Sequence, residues 1–312
     1  MNTISRVASP EAAPAAPVDK IIPLRRPGRW IFAAILAVAV AQGIVVLVTN
    51  PNFEWGVVGS YLFAKPILQG LWLTLWLTVV SMAAGILLGV LLAVMRLSSN
   101  PLAAWLSWAF VWFFRGTPLL VQLVFWYNLA VLFPQIKIGL PFGGPTFASL
   151  DANAVITPIA ASLLGLILNE AAYMAEIVRS GIASVDKGQL EAASALGMSR
   201  GKALRRVVLP QAYRVMIPPT GNETITLLKS TSLVSVVAVA DLMYQVNLIS
   251  AQTFQTIPLL IAAALWYLLI TSLMSMGQAQ LEKRFAKSDL SSAAGPRRTL
   301  LSRSTTGKTG GK

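Results

Sequence analysis

The stretch VDKGQLEAASALGMSRGKALRRVVLPQA, residues 185–212, is short and charged, lies between two apolar stretches, and is patterned like two folded helices. Over residues 189–196, Leu190, Ala193 and Leu196 recur near one face at helical spacing. Ala192, Ala193 and Ala195 keep this helix thin, so that another backbone can approach closely. Gly197 is placed to end it, as glycine does just beyond a helix C-terminus. Ser199 is placed to cap a second helix. There Leu204, Val207 and Val208 face one way, Lys202, Arg205 and Arg206 face elsewhere, and Pro210 is expected to stop it. A mere connection needs no such pattern. The expectation is a compact helical knuckle with a small-residue face and a basic flank, built to dock on something.

The rest of the chain is of another kind. Hydrophobic residues make up 55% and charged residues 12%, with a mean hydropathy of +0.67, which lies outside the soluble globular range. The chain has no Cys and no His. Disulfides, thiolate or imidazole metal sites and His-based triads are therefore excluded, and no carboxylates cluster at metal-ligand spacing. A net charge of +13 suggests nucleic acid only if its placement is ignored. The basic residues sit in tails and between apolar runs, which points to membrane topology and lipid, not to nucleic acid.

About six membrane spans are expected in an all-α integral membrane protein, each long enough for about 30 Å of hydrocarbon. Residues 1–28 read as a flexible tail and residues 29–49 hold an extra N-terminal span. Residues 50–67 read as a loop. A second span follows at 71–94, carrying Gly85 and Gly89 at small-xxx-small spacing, which suits close packing within one subunit and also a dimer contact. Trp105, Trp108 and Trp112 mark a stretch along the interface. Thr117 as cap and Pro118 as first helical residue would open a third span reaching residue 133. Arg115 can snorkel to lipid phosphates or pair with a carboxylate in a neighbouring span, and the structural role is favoured. Residues 134–156, broken by Pro and paired Gly, read as an outside loop, and the fourth span covers 156–177.

The polar residues inside the spans are the candidates for a translocation pathway, because ionisable groups at that depth face a partner or a wet cavity. Asn169, Glu170, Tyr173 and Glu176 lie at the end of the fourth span. Glu176 and Arg179 share a helix face and are placed to neutralise each other. Glu170 has no such neighbour and is the better candidate for a substrate ammonium. After the knuckle, Pro218, Pro219 and Gly221 are expected to break the fifth span, and Asn222, Glu223, Lys229, Thr231 and Ser232 make it polar. Thr231 or Ser230 would cap a new helix whose N-terminus favours an anionic group. These hydroxyls can equally bond back to their own helix. The sixth span covers 258–276, and residues 285–312 read as a disordered basic tail.

Four motifs in order carry a family resemblance: FRGTPLLVQL (114–123), AAYMAEIVRSGI (171–182), EAA with Gly197 and Leu209-Pro210, and LKSTSL (228–233). They resemble the permease subunits of bacterial ABC importers, in the branch for polar amino acids. The resemblance implies a five-helix type I permease domain over residues 68–284, with residues 185–212 as its coupling loop. It also implies a cytoplasmic ABC ATPase dimer that hydrolyses ATP-Mg, a second permease subunit, identical or homologous, and an extracytoplasmic binding protein that delivers a small amino acid. Glu191, Ala192, Ala193, Gly197, Leu209 and Pro210 are the coupling residues on this reading. The chain itself is expected to bind no cofactor and to be no enzyme. Gly307-Lys308-Thr309 is not a P-loop, because Ser302 stands where the motif needs its first glycine.

With six spans, 22 of the 25 Lys and Arg fall on the side of the knuckle and both termini, Lys65 and Lys137 fall opposite, and Lys229 is embedded. That imbalance places both termini and the knuckle in the cytoplasm of a bacterial cell, with the chain in its inner membrane. Other readings are an ABC permease for another small nitrogenous solute, such as an opine or a methionine-like compound, and an ion-coupled secondary transporter, which would work without an ATPase.

Overall fold

A computed structural model describes residues 27–140 and 144–293. The chain divides into two units, Met1–Phe53 and Glu54–Lys312. Among its described residues the first holds one α-helix, α1 (Pro27–Thr49), followed by a 3₁₀ turn over Pro51–Phe53. Its 23 residues rise about 34 Å, enough to cross a bilayer. The tail of residues 1–26 lies outside the described residues, as do residues 294–312 with Gly307-Lys308-Thr309.

The second unit opens with α2 (Trp55–Leu62) and α3 (Lys65–Arg96). Residues 50–67 are thus not a plain loop: Glu54, at φ 45°, turns the chain into α2, and Pro66 lies in the first turn of α3. Next come α4 (Pro101–Gly116), α5 (Leu119–Tyr127) and α6 (Leu129–Leu132). α4 and α5 bend by 102° at the break between them, and taken together they have the length and composition of one broken span. This corrects the expected start of the third span. Thr117 does not cap forward: its hydroxyl donates back to the Phe113 carbonyl at 2.9 Å. The span therefore begins earlier, at Pro101, where the Asn100 side chain accepts from the Leu102 and Ala103 amides.

The expected outside loop contains an antiparallel hairpin, β1 (Gln135–Gly139) with β2 (Thr146–Asp151), paired from Gln135–Asp151 to Gly139–Thr146. A single turn, α7 (Ala152–Val155), leads to α8 (Pro158–Ala183), capped by the Thr157 hydroxyl. α8 is the central helix, packed against α3, α4, α5 and α11. Gly85 and Gly89 permit that packing. A Cβ on Gly89 would lie 2.5 Å from Met174 Cβ and 3.0 Å from the Ala171 carbonyl oxygen. The small-xxx-small pair therefore serves contact within one subunit.

The knuckle consists of α9 (Lys187–Ala195) and α10 (Arg200–Ala203), and it leads straight into α11 (Leu209–Ser230) through a π-helical turn, Leu204–Val208. Pro210 does not stop the chain. It lies in the first turn of α11, and the widened turn before it accommodates the ring and its missing N–H.

Pro218 and Pro219 likewise lie inside α11 without breaking it. Gln278 donates to the Pro218 carbonyl at 3.2 Å, and the Thr220 hydroxyl donates to Met216 O at 2.8 Å. The break comes later. A 3₁₀ stretch, Thr231–Val237, ends at Ala238 in the left-handed region (φ 60°), and α12 (Leu242–Thr253) starts afresh with Asp241 as cap. The last helix, α13 (Thr256–Ala293), continues past Arg284 into the segment expected to be disordered, because Ala, Lys and Leu there sustain a helix.

Among the described residues four helices, α1, α3, α8 and α13, are long and apolar enough to cross a membrane, and the total rises to as many as six where each bent pair counts as one span. Apart from one hairpin, this is an all-α membrane protein. In the second unit, Leu77, Leu123, Leu166, Leu227 and Val234 form a central apolar cluster. Ile67, Leu71, Leu242 and Leu259 form a second, toward the other end of α3 from the knuckle. Ala93, Val178, Ala212 and Met216 form a third, at the knuckle end.

Candidate translocation site and coupling loop

The 102° elbow between α4 and α5 sets up the polar site. A bend of this size frees backbone carbonyls, which must be satisfied inside a membrane. Gln122 does most of this. It is buried, and its amide donates to Phe114 O at 3.0 Å, Thr117 O at 3.1 Å and the Thr117 hydroxyl at 2.8 Å. Asn169 of α8 donates to the same Phe114 carbonyl at 3.0 Å, tying the elbow to α8. The residue after Phe114 is Arg115, whose guanidinium lies over the Tyr173 ring, 5.1 Å from its centroid.

Elbow, α8 and α11 enclose a cavity of ≈ 490 Å³. Arg115, Asn169, Glu170, Tyr173, Glu223, Thr226 and Ser230 line it, with Pro118, Leu119, Leu227 and Leu233 as apolar walls. Glu170 is 2% exposed, and its Oε1 has no hydrogen-bond partner among the described residues. Glu170 feels the charge of Glu223, and Glu223 that of Arg115. A buried carboxylate with an unused acceptor is costly. It is well arranged to receive a donor that enters the cavity. Gly85 leaves room for its stem, since a Cβ there would lie 2.6 Å from Glu170 Cγ.

The structure divides the nominated pathway residues. Asn169, Glu170, Tyr173 and Glu223 share the cavity. Glu176 lines an adjoining opening of ≈ 450 Å³ with Arg96, Arg115 and Tyr173. There it makes a two-pronged ion pair with Arg179, as their spacing suggests. Asn222 turns toward α13 and accepts from Gln278 at 3.0 Å. Lys229 is exposed outside the cavity lining. The Thr231 and Ser232 hydroxyls donate to Leu228 O and Lys229 O, both at 2.7 Å. Ser230 is helical, without a side-chain cap, so no α-helix N-terminus for an anion forms at this point. Arg115, for which a structural role was favoured over pairing with a carboxylate, also lines this cavity. The missed scaffold residue is Gln122, whose proximity to the FRGTP turn was its one visible signal.

In the candidate coupling loop, Asp186 caps α9 by accepting from the Gly188 amide at 2.6 Å. Gly197 sits at φ 73°, its amide donating to Ser194 O at 2.9 Å while the Met198 amide donates to Ala193 O at 3.0 Å. That double bond pattern closes the helix end. Ser199 occupies the cap position of α10 without a side-chain bond. Ala193, Ala203 and Val208 are buried, while Glu191, Ala192, Gly197 and Pro210 are exposed and Leu209 is half-buried. The small-residue face is thus divided: Ala193 closes the knuckle on itself, and Ala192 looks outward beside Leu196, which is 82% exposed.

Residues 85–287 match the family described as binding-protein-dependent transport system inner membrane component. Among curated relatives, an arginine transport system permease protein, ArgU, from Corynebacterium glutamicum is 43% identical over 283 residues, covering 90% of this chain and 85% of that one. A probable glutamine ABC transporter permease, GlnM, from Bacillus subtilis is 38% identical, covering 62% of this chain and 82% of that one. Among solved structures, an amino acid ABC transporter crystallised with histidines aligns at a TM-score of 0.61 and 35% identity, over 70% of this chain and 94% of that one. The MetNI methionine transporter shares the fold at a TM-score of 0.56 and 19% identity, over 72% of this chain and 99% of that one. The chain thus belongs to the binding-protein-dependent transport system inner membrane component family, as a multi-pass transport subunit and not an enzyme.

Proposed function

We infer that this permease subunit of an amino-acid ABC importer passes a polar amino acid with a basic side chain through the cavity between Glu170 and Glu223. The observation that carries this reading is the lining: two carboxylates, one of them buried with a free acceptor, against one guanidinium. A zwitterion with a cationic side chain matches that set. Its carboxylate meets Arg115, and its ammonium and side chain meet Glu170 and Glu223. The arginine permease from Corynebacterium as a relative supports the same class.

The knuckle is the surface for a cytoplasmic ATPase dimer, which uses ATP-Mg while this chain binds none. A second permease, identical or homologous, completes the pathway, and an extracytoplasmic binding protein delivers the solute. Both termini lie in the cytoplasm. For ATP to bias the access state, the ATPase must bind the knuckle differently in its two positions.

Uptake by the assembled transporter in proteoliposomes tests the substrate reading. Glu170→Gln keeps the shape and removes the charge. It is expected to lower uptake of a basic amino acid by roughly 10- to 150-fold, as loss of a hydrogen bond to a charged group does. Uptake of a neutral polar amino acid should change far less. Equal loss for both, with assembly intact, overturns the assignment of Glu170 to a cationic group.

A further inference from the structure

A second and larger cavity, ≈ 700 Å³, lies on the other face of α8. Met174, Val178 and Ile182 point into it at four-residue steps, roughly opposite Asn169, Tyr173 and Glu176. α3, the π-turn, α11 and α13 supply the remaining walls. The lining is overwhelmingly apolar; of its polar side chains Tyr213 is exposed and the others are engaged. The Thr220 and Thr224 hydroxyls donate to carbonyls one turn back, and Gln278 donates to Pro218 O, Asn222 and Glu282. Such a cavity has nothing to offer a polar solute. It also opens on the face of α8 roughly opposite Asn169, Tyr173 and Glu176.

Its two ends differ. At the knuckle end, Arg205 stands about one turn before Leu209 of the lining, with Arg206 beside it, and Lys283 and Arg284 follow Leu281 on α13. All four are exposed. The nearby Glu282 carboxylate is engaged by Gln278 at 2.8 Å. At the far end Ile86 and Ile225 carry no charge. From Leu209 to Ile225 the α11 wall rises about 24 Å, so the cavity reaches from headgroup level through one leaflet, about 15 Å of hydrocarbon.

We propose that this cavity binds an anionic glycerophospholipid, with one acyl chain between α3, α8, α11 and α13 and its phosphate against Arg205, Arg206 and the Lys283–Arg284 end of α13. The lipid belongs to the leaflet on the knuckle side and bridges the first turn after the coupling loop to the last span. The site depends on the helices crossing a bilayer and not on which solute is carried, so it stands or falls apart from the substrate reading.

The intact transporter, purified in mild detergent and stripped of loose lipid, is mixed with phosphatidylglycerol or phosphatidylcholine of the same acyl chains. Retained lipid per chain is then counted by mass spectrometry. Phosphatidylglycerol should be retained and phosphatidylcholine far less. The double substitution Arg205→Gln and Arg206→Gln should weaken retention of phosphatidylglycerol by about 25-fold, at roughly fivefold per cation, and leave phosphatidylcholine unchanged. Gly277 lines the cavity, and a Cβ there meets nothing within 4 Å. Gly277→Phe should therefore fill the cavity and abolish retention of both lipids. Equal retention of the two lipids by the unaltered protein overturns the proposal. So does unchanged phosphatidylglycerol in both variants. Loss of the permease pair in Gly277→Phe with lipid unaltered also overturns it, by making the cavity a contact between copies.

Discussion

Gly85, Gly89 and Gly277 all lie in membrane-spanning helices, yet their surroundings give them different duties. A methyl group on Gly89 would strike backbone on α8, which cannot yield as a flexible side chain can. Gly89→Ala should cost about 1–3 kcal/mol of stability, outweighing the roughly 0.5–1 kcal/mol that alanine gains over glycine in a helix. Gly277→Ala meets open space and should keep that gain. Thermal unfolding of the two variants in one detergent measures the contrast. Gly85 differs again, because its neighbour is the Glu170 side chain itself. Gly85→Ala should displace that carboxylate and impair uptake more than it lowers the unfolding temperature; the two assays run on one preparation separate the effects. Glu170 could be found in the sequence because a carboxylate without a local partner in an apolar span stands out. Arg115 could not be assigned so readily, since a snorkelling arginine and a cavity arginine have the same sequence signature. What decides between them is the Tyr173 ring brought beneath it from 58 residues away.

Among the elements, the spans were legible from composition, and their interruptions were not. Pro210, Pro218 and Pro219 all read as breaks, yet helix continues through each, because a π-turn, a threonine hydroxyl and Gln278 take up the disturbance. The actual break at Thr231–Val239 has no proline or glycine, and only its run of β-branched and hydroxyl residues around Leu233 and Ala238 announces it. The hairpin at 135–151 was hidden by its Pro and Gly content, although Gln-Ile-Lys-Ile already alternates. The elbow was half legible: the FRGTP turn was visible, but the geometry depends on Gln122 reaching back eight residues. Gln122→Leu should leave the carbonyl of Thr117 short of a donor, at a cost of about 1–3 kcal/mol. Hydrogen exchange should then show the α4–α5 junction opening before the rest of the bundle. The knuckle was the most legible element, because glycine at a helix end has one strong conformational reason to be there. With no atom within 4 Å of a Cβ at Gly197, any penalty for Gly197→Ala is conformational. It should be about 1–2 kcal/mol, the strain of a left-handed alanine, read as faster exchange of the Met198 amide.

In the molecule as a whole, α8 and α11 are the rods between a polar cavity inside the bundle and a knuckle outside it. On the knuckle Ala192 and Leu196 are exposed, while Ala193 is buried within it. Ala192→Asp should accordingly remove both ATPase docking and transport while leaving the bundle folded. The absence of cysteine makes the most direct test clean, because Leu196→Cys introduces the sole thiol, at a position 82% exposed. The measurement is labelling of that thiol by a membrane-impermeant maleimide in sealed vesicles of known orientation, with and without the ATPase subunit. The account predicts labelling only from the cytoplasmic face, and protection when the ATPase is bound. Labelling from the outer face, or cytoplasmic labelling that a bound and active ATPase leaves untouched, would contradict it.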